Sequence, residues 1–153
     1  MSDSRTADEL AIRDLVARYA DAVVRRDESA WGDTWAEKGE WTVMGRTATG
    51  REQVVELWNT LMATLPFVIQ LPHSAMLSID GDRATGRWYI TEHGQRADGA
   101  GMQMFGVYHD EYGKEDGRWR FIRRRFDPLY AGAPDLSSQP LPFPAEFNER
   151  PPE

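Results

Sequence analysis

One feature constrains the fold of this chain more than any other: its hydrophobic period changes near residue 73. Before that point apolar residues recur at helical spacing. Leu10, Ile12, Leu15, Val16, Tyr19, Ala20, Val23 and Val24 form one stripe, the pattern of an amphipathic helix with one face inward. Thr6-Ala7-Asp8-Glu9 reads as a capping box at its start, and the helix is expected to end near Arg26. Asp27 is expected to cap a short second helix carrying Trp31 and Trp35. A brief strand is expected over 39–45, between glycines. Thr49-Gly50-Arg51-Glu52 reads as a second capping box. It opens a helix with Val54, Val55, Leu57, Trp58, Leu61, Met62 and Leu65 inward, stopped by Pro66.

From His73 onward the residues alternate. A strand over 73–79 turns at Asp80-Gly81-Asp82 into a strand over about 83–93. A glycine-rich connection, 94–101, leads to a strand over 102–112. Lys114-Glu115-Asp116-Gly117 reads as a hairpin turn, and a last strand runs from Arg118 to about Asp127. Strands joined by short turns imply an antiparallel meander. Helices followed by such a run predict an α+β fold: a cone-shaped barrel, its curved antiparallel sheet wrapped by the N-terminal helices around an apolar pocket. The domain is expected to span 1–130. A Pro-rich arm is expected over 131–153, with Pro134, Pro140, Pro142, Pro144, Pro151 and Pro152 among Leu141, Phe143 and Phe147.

Composition narrows the function. A net charge of −7 lacks the basic footprint that nucleic acid requires. With no cysteine there is no thiol nucleophile and no thiolate metal site. His73, His93 and His109 form no plausible ligand cluster, so no metal and no cofactor are expected. No apolar run approaches a membrane span and no signal peptide is visible, so the expected location is cytoplasmic. Six Trp, six Phe and five Tyr suit an aromatic-lined cavity for a small hydrophobic molecule.

Four segments, in this order, resemble the SnoaL-like branch of the nuclear transport factor two-like superfamily. They are Ala11-Ile12-Arg13-Asp14-Leu15 with Tyr19; Glu40-Trp41-Thr42; His73 with Ile79-Asp80-Gly81-Asp82-Arg83-Ala84; and Asp116-Gly117-Arg118-Trp119-Arg120-Phe121. The branch includes scytalone dehydratase, bile-acid 7α-dehydratase and hexachlorocyclohexane dehydrochlorinase. The resemblance implies a cofactor-free lyase with a pocket histidine at the start of the third strand, where His73 falls. It also implies an aspartate near the end of the first helix, where this chain has Val24. A homodimer or homotrimer is expected by the same analogy.

Alternation along the strands, combined with that resemblance, sorts the candidate site. The pocket face is expected to hold His73, Trp88, Ile90, Glu92, Met104, Gly106, Tyr108, Arg124 and Phe126. Tyr19, with Val23 or Val24, looks down from the helix, and Trp41 lines the wall. His73 is the candidate proton carrier, since its unperturbed pKa lies near neutrality. Tyr19 is a candidate hydrogen-bond donor. Glu92, a carboxyl among apolar neighbours, is a candidate acid or base. Arg124 is expected to need a partner, either Glu92 or a substrate oxygen. Trp41, Trp88, Ile90, Met104, Tyr108 and Phe126 are the candidate substrate-binding set. The expected activity is that of a dehydratase-type lyase or an isomerase on a small hydrophobic cyclic or aromatic metabolite. The alternatives are a non-catalytic ligand-binding or assembly domain, and a polyketide-type cyclase.

Overall fold

The computed structural model describes residues 2–139, 141–142 and 144–145. Three helices precede most of the sheet: α1 (Ser2–Arg25), α2 (Glu28–Gly32) and α3 (Arg51–Met62). The strands are β1 (Trp35–Val43), β2 (Arg46–Thr49), β3 (Phe67–Asp80), β4 (Arg83–Gln95), β5 (Gly101–Glu115) and β6 (Arg118–Gly132). They form one six-stranded curved sheet in the order β2-β1-β6-β5-β4-β3, with the helices packed on it as a cone. The α+β class is as expected. Two details differ: the sheet does not close into a barrel, and β1 runs parallel to β6, so the sheet is mixed.

The stripe of α1 is narrower than the sequence suggested. Ile12, Leu15, Val16, Tyr19, Ala20 and Val23 are buried, whereas Leu10 and Val24 are 63% and 41% exposed. Each helical step turns about 100°, so Val24 leaves the face that Val23 occupies. Neither expected capping box forms. Thr6 lies inside α1, and the Glu9 carboxylate accepts from Arg13 at 2.8 and 3.0 Å. Thr49 ends β2, and the cap of α3 is Gly50, at φ 89°. Asp27 does cap α2, its side chain accepting from the Ala30 N–H at 2.9 Å. Trp35 is not on that helix; it opens β1.

β2 went unanticipated because its turn is the unusual pair Met44-Gly45. Both residues have positive φ, 50° and 74°, the type I′ geometry for which asparagine and glycine are the usual signal. The expected hairpin at Asp116-Gly117, φ 50° and 73°, has the same form. β6 continues five residues beyond the expected end at Asp127, through Pro128. That proline is tolerated because the pairing of β1 with β6 ends at Thr42 and Arg125, leaving the lost donor on a free edge. After Gly132 the chain folds back, and the Leu141 N–H donates to the Leu129 carbonyl. Pro140, Phe143, Phe147, Pro151 and Pro152 of the expected arm lie outside the described residues.

Three bulges set which residues face inward. One extra residue falls in β3 between Pro72 and Ala75. Another falls in β6 opposite the Glu111–Tyr112 step, where Ile122 is passed over. A third lies at Phe105–Gly106. A bulge shifts the two-residue alternation by one, so side chains beyond it change faces. Hence Phe121 and Arg124 are both buried, although strict alternation opposes them.

Gly106 is the tightest point of the sheet beside the cavity. A Cβ there would meet the Phe126 ring atoms at 2.2 Å. Gly106→Ala is expected to cost about 1–3 kcal/mol through overpacking, read as a lower midpoint in urea denaturation.

Candidate active site

Between α1, α3 and the concave sheet lies a cavity of about 740 Å³. Its walls are mostly apolar and aromatic: Trp41 from β1, Trp58 from α3, Ile90 from β4, Met104 and Tyr108 from β5, and Phe126 from β6. Tyr19 and Val23 close it from α1. At the rim are Met44 and the exposed β4–β5 turn with Arg96 and Asp98.

Two polar side chains face each other across the β3–β4 pairing, Gln70 and Glu92. Both line the cavity, and Gln70 Nε2 donates to Glu92 Oε2 at 3.0 Å. Among the described residues no cation forms an ion pair with Glu92. Burial raises its pKa, and the Gln70 bond offsets only part of that rise. Glu92 lines the cavity and is partly exposed. Glu92 therefore combines a proton affinity above that of an ordinary carboxylate with access to a bound molecule.

Beneath the Tyr19 and Tyr108 rings lies a buried ion pair. Arg124, 1% exposed, donates from Nε and Nη2 to the two oxygens of Asp110, at 2.8 and 3.0 Å. The expected partner, Glu92, is not the one used. The Arg124 guanidinium carbon lies 3.7, 4.2 and 4.4 Å from the ring centroids of Tyr108, Phe121 and Tyr19. Burial pushes its pKa down, but Asp110 and the two tyrosines outweigh burial and hold it up. Tyr112 donates its hydroxyl to Asp110 at 2.7 Å, and the Trp88 indole donates to Tyr112 at 2.9 Å. The Tyr19 and Tyr108 hydroxyls lie 3.4 Å apart. Burial raises the pKa of both phenols, so they are neutral.

Three expected site residues are thus not on the cavity wall. His73 is exposed on the β3 bulge, its Nε2 2.8 Å from Thr91 Oγ1. β3 begins at Phe67, six residues earlier than expected, so His73 does not open it. The bulge carries its side chain off the cavity face. Trp88 and Arg124 are buried one layer deeper, in the core. Gln70 and Trp58, absent from the candidate set, are on the wall. The run Phe67-Val68-Ile69 is rich in strand formers. It was the signal that would have put Gln70 in register. The positions where the resemblance implied a histidine and an aspartate, His73 and Val24, are both exposed off the cavity wall, which presents Gln70 and Val23 instead. No histidine lines it among the described residues, and no three acidic or histidine side chains there could hold a metal ion. No helix among them is long and apolar enough to cross a membrane.

Comparison with known proteins gives a consistent picture. Residues 4–125 match the SnoaL-like domain. The γ-hexachlorocyclohexane dehydrochlorinase of Sphingobium indicum is 29% identical over 141 residues, covering 84% of this chain and 89% of that protein. The crystal structure of LinA superposes with a TM-score of 0.82 at 28% identity, covering 94% of this chain and all of LinA. A putative scytalone dehydratase from Novosphingobium aromaticivorans shares the fold, with a TM-score of 0.81 at 17% identity over 92% of this chain and 95% of its own.

Two stability tests follow from the site's electrostatics. Asp110→Asn leaves a buried guanidinium without its counter-charge and is expected to cost about 3–5 kcal/mol, whereas an Asp110→Leu/Arg124→Met double variant costs less. Urea denaturation of the three proteins checks this order. For Glu92 the folded state keeps a proton that the unfolded chain has released above its ordinary pKa of 4.5. The wild type therefore loses stability as pH rises from 4.5 through the raised value. Glu92→Gln, which cannot ionise, is expected to lack that decline in a pH series of thermal midpoints.

Proposed function

This chain belongs to the SnoaL-like domain family, and from that premise we propose that it is a cofactor-independent lyase acting on a small hydrophobic molecule, with Glu92 as the proton carrier. One observation carries the reading: a carboxyl without a cationic partner, held by one amide on the wall of an otherwise apolar cavity. Such a group is a stronger base than a solvated carboxylate, and it works without competition from water. Gln70 fixes one carboxyl oxygen and leaves the other available to a bound molecule. The neutral Tyr19 and Tyr108 hydroxyls are suited to hold a substrate oxygen where charge develops.

The dehydrochlorinase relative supports elimination as the reaction class. The proton path differs from the one the family resemblance implies, because His73 is exposed off the cavity wall and Val24 cannot orient an imidazole. Glu92 takes the role given to His73 on sequence grounds. A cavity volume of about 740 Å³ suits a one- to three-ring substrate. The second reading is a binding domain without chemistry, favoured by that same loss of the histidine–aspartate pair.

The two readings separate on one variant. Glu92→Gln is expected to lower kcat/KM for an elimination substrate by about 10²–10⁴-fold, and His73→Ala to leave it unchanged. Activity is expected to fall with decreasing pH through the raised Glu92 pKa, as the carboxylate takes up its proton. A flat acid limb, or a Glu92→Gln variant of full activity, is the result that removes Glu92 from the mechanism.

A further inference from the structure

Away from the cavity, Arg120 of β6 is a second buried guanidinium, and unlike Arg124 it is poorly matched. Its side chain is 9% exposed. Nη2 donates to one oxygen of Asp33 at 3.3 Å. Nε and Nη1 are out of water and have no hydrogen-bond partner among the described residues. Asp33 follows α2 as its C-cap, and its other oxygen accepts from Arg118, again at 3.3 Å. One carboxylate thus serves two arginines through one long contact each. Well-matched pairs in this chain are closer: Arg18 to Asp14 and Arg25 to Asp21 are both at 2.8 Å, the usual length of a charge-assisted bond.

Two further guanidiniums act on the same spot. Burial pulls the pKa of Arg120 down, Asp33 counters that, and repulsion from Arg118, Arg51 and Arg18 adds to the fall. Arg51, the first residue of α3, is held by the Trp35 carbonyl, to which Nε and Nη2 donate. Its contact to Glu115 is 3.9 Å, and that carboxylate also accepts from the Glu37 N–H. Arg118 and Arg120, two apart on β6, share a face. Arginines from α1, α3 and β6 therefore gather around one acid, in a chain whose net charge is −7. None of these residues lines the cavity.

Like charges held together cost free energy until an opposite charge joins them. We propose that this cluster is a binding site for a phosphate-type dianion, with the Asp33 carboxylate standing in for the ligand when the site is free. The Asp33 side chain is 47% exposed, so it can turn out to water while the anion takes its place between Arg118 and Arg120. A phosphate group brings twice the charge of that carboxylate and more acceptor oxygens, for donors that Asp33 leaves unmet. Its oxygens match the fork of a guanidinium. A monocarboxylate ligand has no such advantage over Asp33. The site is independent of the chemistry proposed at Glu92.

Isothermal titration calorimetry of the full chain with inorganic phosphate tests this. The titration is run at constant ionic strength and mildly alkaline pH, where phosphate is a dianion. Saturable binding of one phosphate per chain is expected. Arg120→Gln is expected to weaken it at least about tenfold, the loss of one hydrogen bond to a charged group. Arg118→Gln, at an exposed side chain, is expected to weaken it likewise and gives the same reading if Arg120→Gln does not fold. Asp33→Asn removes the competing charge and is expected to tighten binding about two- to fivefold. Acetate, a monoanion like the Asp33 side chain, is expected to bind at least about tenfold more weakly than phosphate. Phenyl phosphate is titrated beside the free ion. Tighter binding of the ester assigns the site to a phosphorylated compound, and tighter binding of the ion assigns it to free phosphate. No saturable binding by the wild type overturns the proposal. So does an affinity unchanged in either folded arginine variant, an affinity that Asp33→Asn fails to raise, or acetate binding equal to that of phosphate.

Discussion

The buried Arg124–Asp110 pair is the constraint on which the rest of the structure depends. Two ionised groups out of water are tolerable only if each is fully bonded. Every element around them is arranged to achieve that. β5 supplies Asp110, β6 supplies Arg124, and Tyr112 and Trp88 complete a chain of donors reaching into β4. Tyr19 from α1, with Tyr108 and Phe121, places aromatic faces over the guanidinium, an attraction strengthened by the absence of water. The pair thereby ties the helix to the sheet and fixes the two tyrosines that line the cavity above.

Above this pair the charge balance is reversed. Glu92 has an amide partner but no cation, so burial shifts it toward the protonated form. The two carboxyls lie on adjacent strands and do different work because one has an arginine and the other does not. Asp110 is committed to structure. Glu92 lines the cavity and is the group proposed above to exchange a proton with a bound molecule. A site of this kind costs stability at neutral pH, which is the usual relation between a binding cavity and the fold that holds it.

The family's histidine–aspartate pair does not form on the cavity wall: His73 is exposed on the β3 bulge and Val24 is exposed on α1. Val23 continues the apolar stripe of α1, so the helix end is sealed against the sheet. Gln70 keeps the polar position on β3 yet donates to Glu92 across the strand pairing. The proposed proton carrier, Glu92, therefore stands on β4, the strand paired with the β3 strand that carries His73.

Much of the architecture was legible in the chain. The change from helical to alternating period, the Asp27 cap and the Asp116-Gly117 turn are local properties, set by backbone sterics and side-chain spacing. They sufficed for the class of fold, the existence of an aromatic cavity, and part of its wall: Tyr19, Trp41, Ile90, Glu92, Met104, Tyr108 and Phe126. What the sequence alone did not reveal was the phase of the strands. Bulges at His73 and at Ile122 each displace the alternation by one residue. They turn His73 outward, bring Gln70 onto the wall and pair Arg124 with Asp110 rather than Glu92. Such bulges leave no local mark, because their positions follow from how β3 and β6 accommodate the neighbouring strands. Hydrophobic period and turn chemistry are thus written in the chain; the identity of the inward-facing charge is decided only when the whole sheet is paired.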